Sequence, residues 1–324
     1  MDYRLGFAIT SSVFFSLIAF GTHAQTPSKE KTCLHVASYE ADLEWTAGVE
    51  KSLREKMVGA CKLETFFMET KKNPGDEFAK KKGLEARDLI TKMKPDVVFL
   101  SDDNAIKWLL LPYFKESTIP FVFIGVNWSI EPYKLPFKHT TGVIEVAPID
   151  AMVYEVKKAL PQAKTIAFLT IDTETERKEF PHVAKRFQAA GYSVKEYWAT
   201  SAADWRKLYL QAQDETDFVY LSNKLGAPDW KDEENSEFAK KNQKKLSGGT
   251  YVWLTPVATF VMAKSPTEQG EIASEQGKKV LSGQAPNSVP VTANKLYDAV
   301  VNTELLKKTG LKLSEGFMRR AKAL

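Results

Sequence analysis

The chain has 324 residues, of which 44% are hydrophobic and 27% charged, a composition typical of a globular protein with two domains of ordinary size. Its formal net charge of +4 comes from scattered side chains. Because no basic stretch is interleaved with aromatic residues, nucleic acid is not indicated as a partner.

The first 24 residues have the pattern of a secretory signal sequence. Arg4 supplies a positive charge, segment 5–21 is apolar apart from four hydroxyl residues, and Thr22-His23-Ala24 occupies the usual cleavage positions. We therefore expect cleavage after Ala24 and a location in the periplasm. An uncleaved membrane anchor is the alternative, although the apolar run is short for a membrane span.

Strand-like and helix-like segments then alternate along the first half of the chain. Strands are predicted at 33–39, 62–68, 96–100, 121–125 and 141–145, with helices at 44–59, 84–93, 105–114 and 149–160 and a solvated turn at 71–82. The apolar residues Val49, Leu53 and Met57 recur every four positions, which gives the first helix one apolar face. This alternation predicts βαβ units and a parallel sheet.

The alternation repeats in the second half. Strands are predicted at 165–170, 193–198, 218–221, 251–254 and 291–293, and helices at 177–190, 203–213, 235–244 and 267–281. We expect the chain to cross between lobes near 149–160 and again at 258–264. The predicted domains are therefore a signal peptide at 1–24, an N-terminal lobe of 30–146 plus 262–290, and a C-terminal lobe of 147–261 plus 291–324.

Cys33 and Cys61 begin the first two predicted strands. In a parallel sheet of order 2-1-3 they lie at the same end of neighbouring strands, and an exported protein can hold a disulfide there. Two unpaired buried thiols remain the alternative.

Polar and aromatic clusters follow the predicted strands. Ligands of open parallel α/β sheets bind outside the carboxyl ends of the strands, so these clusters predict a cleft between two sheets. The aromatic members are Tyr39, Trp45, Trp128 and Trp253, and the carboxylates are Glu40, Asp102, Asp103, Glu145 and Asp172. Since no arginine stands at a strand end, a neutral, amine-bearing or zwitterionic ligand with an apolar or aromatic body is favoured over a phosphate or dicarboxylate.

Enzyme motifs are mostly absent from the sequence. It has no Gly-rich dinucleotide fingerprint, P-loop, nucleophile elbow or zinc-protease motif, and its histidines lack metal-ligand spacing, so we expect no catalytic residue, no metal and no cofactor. Asp102-Asp103 leaves three alternatives open: acid–base or metal chemistry in a hydrolase, contact with a ligand, or capping of the following helix.

Several segments in order resemble one family. They are Ser38-Tyr39, Trp45-Thr46-Ala47-Gly48-Val49, Lys94-Pro95-Asp96-Val97-Val98, Ser101-Asp102-Asp103-Asn104-Ala105, Pro120 to Asn127, Thr141-Gly142-Val143 and Val301-Asn302-Thr303 with Thr309-Gly310-Leu311. Together they resemble the ABC-transporter substrate-binding family with the type I periplasmic binding protein fold, in the group of tryptophan- and phenylalanine-type binders and sensor-linked members. Ser101-Asp102-Asp103 departs from the Gly/Thr-rich strand end of the tryptophan binders.

The resemblance implies an α/β protein with two Rossmann-like lobes, each with a parallel sheet, joined by three crossovers and closing on a small molecule. It implies ligand contacts at Ser38, Tyr39, Ser101, Asp102, Asp103, Asn127, Glu145, Thr170, Asp172 and Ser222. The implied partner is an ABC permease, and the alternative is a membrane kinase or cyclase that reads ligand occupancy. We expect a monomer.

Overall fold

The computed structural model describes residues 1–3 and 30–324, so residues 4–24 of the predicted signal sequence lie outside the described residues. The strands in this part of the chain are β1 Thr32–Ala37, β2 Lys62–Phe67, β3 Val97–Ser101, β4 Phe121–Asn127, β5 Thr140–Glu145, β6 Thr165–Ile171, β7 Ser193–Ala199, β8 Phe218–Leu221, β9 Leu246–Gly249, β10 Phe260–Lys264, β11 Thr292–Ala293, β12 Tyr297–Val301 and β13 Lys322–Ala323.

The α-helices of the same part are α1 Glu44–Met57, α2 Asp76–Met93, α3 Asp102–Ala105, α4 Leu111–Tyr113, α5 Ile149–Ala159, α6 Glu174–Ala189, α7 Ala202–Glu215, α8 Asp232–Asn242, α9 Pro266–Leu281, α10 Thr303–Thr309 and α11 Glu315–Arg320. A π-helical segment, Ile106–Leu110, joins α3 to α4. None of these helices is both long and apolar enough to cross a membrane.

The first lobe is built on a six-stranded parallel sheet of order β11-β5-β4-β3-β1-β2. Every residue of β3 is buried, as expected where helices cover both faces of a parallel sheet. Val97 and Phe99 pack against α1 and α9, whereas Val98 and Leu100 pack against α2 and the π-helical segment. Successive side chains of β3 thus pack on opposite faces of the sheet.

The second lobe is built on a seven-stranded sheet of order β13-β12-β10-β9-β8-β6-β7. All of its neighbouring strands are parallel except β10 and β12, which are antiparallel. Phe168 packs with α5 and α6 on one face, and Leu169 packs with α7 on the other. The sheet is thus covered on both sides like the first.

The chain passes between the two sheets three times: after β5, after β10 and after β11. The predicted α/β class, with two Rossmann-like lobes, mainly parallel sheets and three crossovers, is confirmed. The crossovers are tied together by side chains. Asn294 accepts a hydrogen bond from Val146 N at 2.7 Å and donates to Val146 O at 3.0 Å, and Glu268 accepts from the backbone N–H of Lys295 at 2.8 Å.

The lobe boundaries differ from the predicted ranges at two short segments. Residues 262–264 lie in β10 of the second sheet, and residues 292–293 pair with β5 in the first. The sequence predicts a crossover at the apolar run 258–264. This run is instead mostly a buried central strand, and the crossover follows it.

Two elements also differ in position. Helix α2 begins at Asp76, inside the predicted turn, because its lysines lie on the exposed side while Ala79, Ala86 and Ile90 form a buried stripe. The strand expected at 251–254 is replaced by β9 at 246–249. There, a Cβ on Gly248 would lie 2.9 Å from the rings of Phe218 and Phe260. Glycine is disfavoured in strands, so the pattern did not indicate one.

A disulfide joins Cys33 and Cys61, whose Cα atoms are 5.9 Å apart. The bond connects β1 to the start of β2, the order that the sequence predicted for these strands. Of the two alternatives left open by the sequence, the structure has the bonded one.

Candidate functional site

The carboxyl ends of the two sheets face each other across a cleft that contains two cavities. An outer cavity of about 390 Å³ leads to an inner cavity of about 40 Å³. Tyr39, Lys71 and Asn127 of the first lobe and Thr175 of the second line both cavities. The two cavities are therefore parts of one site between the lobes.

Aromatic side chains from both lobes form the walls of the inner cavity. Tyr39 and Trp45 come from the first lobe, and Tyr251 and Trp253 come from the second. The rings of Tyr251 and Trp253 are stacked with centroids 4.4 Å apart, and the Trp253 Nε1–H donates to Asn223 Oδ1 at 3.3 Å. Such walls suit an apolar or cationic group.

Asp102 lines the same inner cavity with a buried carboxyl group. Its side chain accepts a hydrogen bond at Oδ1 from Trp45 Nε1 at 3.1 Å. Within residues 1–3 and 30–324, Oδ2 has no hydrogen-bond partner, although the residue is only 3% exposed. Burial, and then the charges of Glu145 and Asp103, raise the pKa of the Asp102 carboxyl well above its ordinary value.

The backbone of β4 gives these carboxylates their space. Gly125 has φ = +67°, and a Cβ there would lie 3.3 Å from Asp102 Oδ1, 3.5 Å from the Trp45 ring and 3.6 Å from Glu145 Oε2. The position therefore requires glycine both for its left-handed conformation and for the room that two acidic side chains and an indole occupy.

Lys264, at the end of β10, neutralises one of the carboxylates. Its side chain is 1% exposed and forms an ion pair with Glu145, while its ammonium donates to Tyr251 OH at 2.7 Å and lies 3.9 Å from Glu179 Oε1. Although burial lowers the pKa of Lys264, the charges of Glu145 and then Glu179 outweigh it and raise that pKa above its usual value. The lysine stays charged.

Glu176 is hydrogen-bonded to side chains at the ends of two strands of the second lobe. Its carboxylate accepts hydrogen bonds from Thr170 Oγ1 at 3.0 Å, from Asn223 Nδ2 at 3.1 Å and from Ser222 Oγ. Burial, and then the nearby Glu179, raise the pKa of Glu176. Thr170 and Ser222, both predicted ligand contacts, thus bind this carboxylate, and neither lines the cavities.

The outer cavity is the larger of the two and is lined by charged side chains from both lobes. Asp103 lines it and accepts hydrogen bonds from Asn127 Nδ2 at 2.7 Å and from Tyr133 OH. Lys107 of the first lobe lies 3.9 Å from Glu174 of the second, across the cavity mouth. A closed cleft allows this contact, and separation of the lobes would break it.

The structure brings seven of the thirteen predicted contacts to the cavity walls: Tyr39, Trp45, Asp102, Asp103, Asn127, Glu145 and Trp253. Trp128 points elsewhere, because its Nε1–H donates to Glu179 at 2.5 Å and its ring stacks on His182. Asp172 forms a two-point ion pair with Arg177, with contacts of 2.7 and 2.6 Å, outside the cavities.

Ser38 and Ser101 form hydrogen bonds within the first lobe. The Ser38 Oγ–H donates to Ser101 O at 2.6 Å, and Ser38 Oγ accepts a hydrogen bond from the backbone N–H of Ala105 at 2.8 Å. His35 bridges Ser101 Oγ, at 2.6 Å, and Glu50, at 2.5 Å. This Ser–His–Glu chain has the connectivity of a hydrolase triad, but Ser101 is 2% exposed and lines neither cavity.

The sequence predicted neither Lys264 nor the pair Glu176 and Glu179. The glutamates lie three positions apart near the start of a highly charged helix, which is typical of a solvated face. The sequence offers one indication of Lys264, which is a lysine placed directly after the apolar run 260–263. In the described ranges, 1–3 and 30–324, no group of His, Cys, Asp and Glu side chains is arranged to hold a metal ion.

Comparisons with known proteins agree with this fold. Residues 33–324 match the family model described as "ABC transporter substrate binding protein". No curated protein sequence is significantly similar to the chain. A solved ABC domain from Streptococcus pneumonia in complex with L-Trp is 15% identical, with a TM-score of 0.66, and the match covers 91% of this chain and 99% of the other.

Two further solved structures match over 91% of this chain and 99% of their own chains. A conserved domain protein from Vibrio cholerae is 19% identical with a TM-score of 0.70. A ligand-free, open substrate binding protein with adhesive properties from Clostridium difficile is 16% identical with a TM-score of 0.67. At these identities the likeness concerns the fold, which is that of type I periplasmic binding proteins.

Proposed function

Because the chain belongs to the family of ABC transporter substrate binding proteins, we propose that it captures one small molecule between its lobes and delivers it to an ABC permease. The observation that carries this proposal is the pair of connected cavities at the carboxyl ends of both sheets, with walls from both lobes. A ligand held there contacts both lobes at once, so its binding energy favours the closed arrangement.

The lining favours a neutral, amine-bearing or zwitterionic ligand. The inner cavity is walled by aromatic rings and two carboxyl groups, those of Asp102 and Glu145, while three lysines and three carboxylates line the outer cavity. In the described part of the chain no arginine lines either cavity. A doubly charged anion would therefore lack the two-point partner it usually has.

The same proposal places the mature protein in the periplasm, after removal of residues 1–24. There it would meet both its ligand and the external face of a permease. The disulfide between Cys33 and Cys61 supports this location, because such bonds persist in oxidising compartments.

The proposal is tested on protein purified without denaturation from its native compartment. Bound small molecules are extracted and identified by mass spectrometry, and the stripped, refolded protein is then mixed with the extract. We expect a stoichiometric compound, a higher melting temperature and a smaller radius of gyration in solution scattering. An extract from a mock purification is the control. Absence of any bound compound, with an unchanged radius, would contradict ligand capture.

A further inference from the structure

We propose that the ligand carries a protonated amine and that this amine occupies the inner cavity, in contact with Oδ2 of Asp102. The inference deepens the proposed function and rests on it. Of the neutral, amine-bearing and zwitterionic ligands favoured above, it keeps only those that carry a cationic nitrogen. It also assigns that nitrogen one position in the cleft.

The first observation is the incomplete coordination of Asp102. Asp102 lines the inner cavity; its Oδ1 accepts from the Trp45 indole, while its Oδ2 is buried and has no hydrogen-bond partner among the described residues. A buried carboxylate oxygen without a partner costs several times what an ordinary hydrogen bond contributes. An ammonium N–H would supply the missing donor and a counter-charge together.

The second observation is the charge balance around the cavity. Glu145 already has Lys264 as its cation, and that lysine also contacts Tyr251 and Glu179. Lys71, the lysine that lines the inner cavity, is partly exposed, and its ammonium lies 5.2 Å from the centre of the Tyr39 ring. Its charge lowers the pKa of Asp102 but is outweighed by burial and by the charges of Glu145 and Asp103, which raise that pKa. Asp102 therefore has no buried cation of its own in the described chain.

The third observation is the shape and chemistry of the walls. Tyr39, Trp45 and Trp253 present aromatic side chains to a small space of about 40 Å³. An ammonium group with its first methylene fits such a space, and aromatic faces attract cations. The body of the ligand would extend past Tyr39 and Asn127 into the outer cavity of about 390 Å³.

A competing arrangement uses the same geometry. Because burial raises the pKa of Asp102, a protonated Asp102 could instead donate a hydrogen bond to the oxygen of a neutral ligand. The two arrangements differ in what the ligand must carry and in what an amide at position 102 would do. Asparagine keeps the size of the side chain, can still accept from Trp45 and tolerates the left-handed backbone of this position, where φ is +67°.

The experiment measures thermal shifts with matched probes. The amines are phenethylamine, tyramine, putrescine and L-tyrosine, and the neutral matches are 2-phenylethanol, tyrosol and butane-1,4-diol. 3-Phenylpropionate represents anions, and the small-molecule extract of the native protein is included. Each is added to stripped wild-type protein, to Asp102→Asn and to Asp172→Asn, a control that changes the same chemical group at a strand end outside the cavities.

We expect at least one amine or the extract to stabilise wild type and Asp172→Asn, with affinity lowered about ten- to hundredfold in Asp102→Asn. The unliganded Asp102→Asn protein should melt no lower than wild type, because the amide removes a buried charge. Stabilisation by an alcohol or the carboxylate alone, an extract without an amine, or an unaltered response in Asp102→Asn would overturn the inference and leave ligand capture standing. No response to any probe or extract would contradict both.

Discussion

Replacing Lys264 with methionine tests the charge network at the centre of the cleft. Methionine fills nearly the same space with an apolar chain, so lost packing accounts for less than about 1.5 kcal/mol. What the change removes is the cation that pairs with Glu145 and lies 3.9 Å from Glu179. Breaking a buried ion pair on one side typically costs about 3–5 kcal/mol, since the remaining carboxylate stays buried and uncompensated.

We therefore expect Lys264→Met to lower the free energy of unfolding at pH 7 by about 3–5 kcal/mol. The control is Lys278→Met. Its ammonium lies 3.1 Å from Glu275 at the surface, and both side chains are substantially exposed. Removing such an exposed pair should cost at most about 1 kcal/mol. Urea denaturation followed by tryptophan fluorescence measures both variants.

The pH dependence gives a second, independent check. Burial raises the pKa of Glu145 even against the opposing effect of Lys264. Without the lysine, the folded variant binds a proton at Glu145 at a pH where the unfolded chain does not. Acidification from pH 7 toward about pH 5 should then reduce the deficit of the variant relative to wild type. A deficit that grows on acidification, or a loss at pH 7 no larger than that of Lys278→Met, would refute the reasoning.

Three further changes test other parts of the structure. Gly125→Ala places a methyl group 3.3 Å from Asp102 Oδ1 at a positive φ. We therefore expect the free energy of unfolding in urea to fall by about 1–2 kcal/mol, and we expect no thermal shift with the native extract. A normal shift would show that the carboxylates have room to move. Tyr39→Ala should abolish the same shift while leaving the unliganded melting temperature nearly unchanged, and a large fall in that temperature would make the tyrosine structural. Replacing Cys33 and Cys61 by alanine opens a loop with a sequence separation of 28 residues. Because the unfolded chain gains conformational entropy, the free energy of unfolding in urea should fall by about 3–4 kcal/mol. A stability equal to that of wild type would contradict this prediction.

The sequence predicted most of the strands that end at the cleft, because they are compact apolar runs followed by polar residues, but it missed β9 and predicted a crossover where β10 lies. It could not separate Ser101 from Asp102, which are adjacent but have opposite roles. Ser101 is the last residue of β3 and points into the lobe toward His35, whereas Asp102 adopts a left-handed conformation and faces the cavity. Side-chain direction at a strand end depends on one backbone angle, and no spacing rule provides it.

The buried charges were harder to predict for a different reason. Glu145 and Lys264 are separated by more than a hundred residues and meet because two crossovers lie side by side. Glu176 and Glu179 have the local pattern of an exposed helix, but the start of α6 packs into the cleft and both are almost fully buried. Only the tertiary arrangement distinguishes these glutamates from the solvated ones beside them.

The three crossovers also determine when either lobe can be completed during synthesis. The first sheet gains its edge strand β11 and its covering helix α9 from residues 266–293, and the second requires β10 and β12 from residues 260–301. A chain that emerges N-terminus first, from a ribosome or a translocation channel, can finish neither lobe until nearly all of it has emerged. The interleaved order thus delays cooperative folding of both lobes until β12 has emerged.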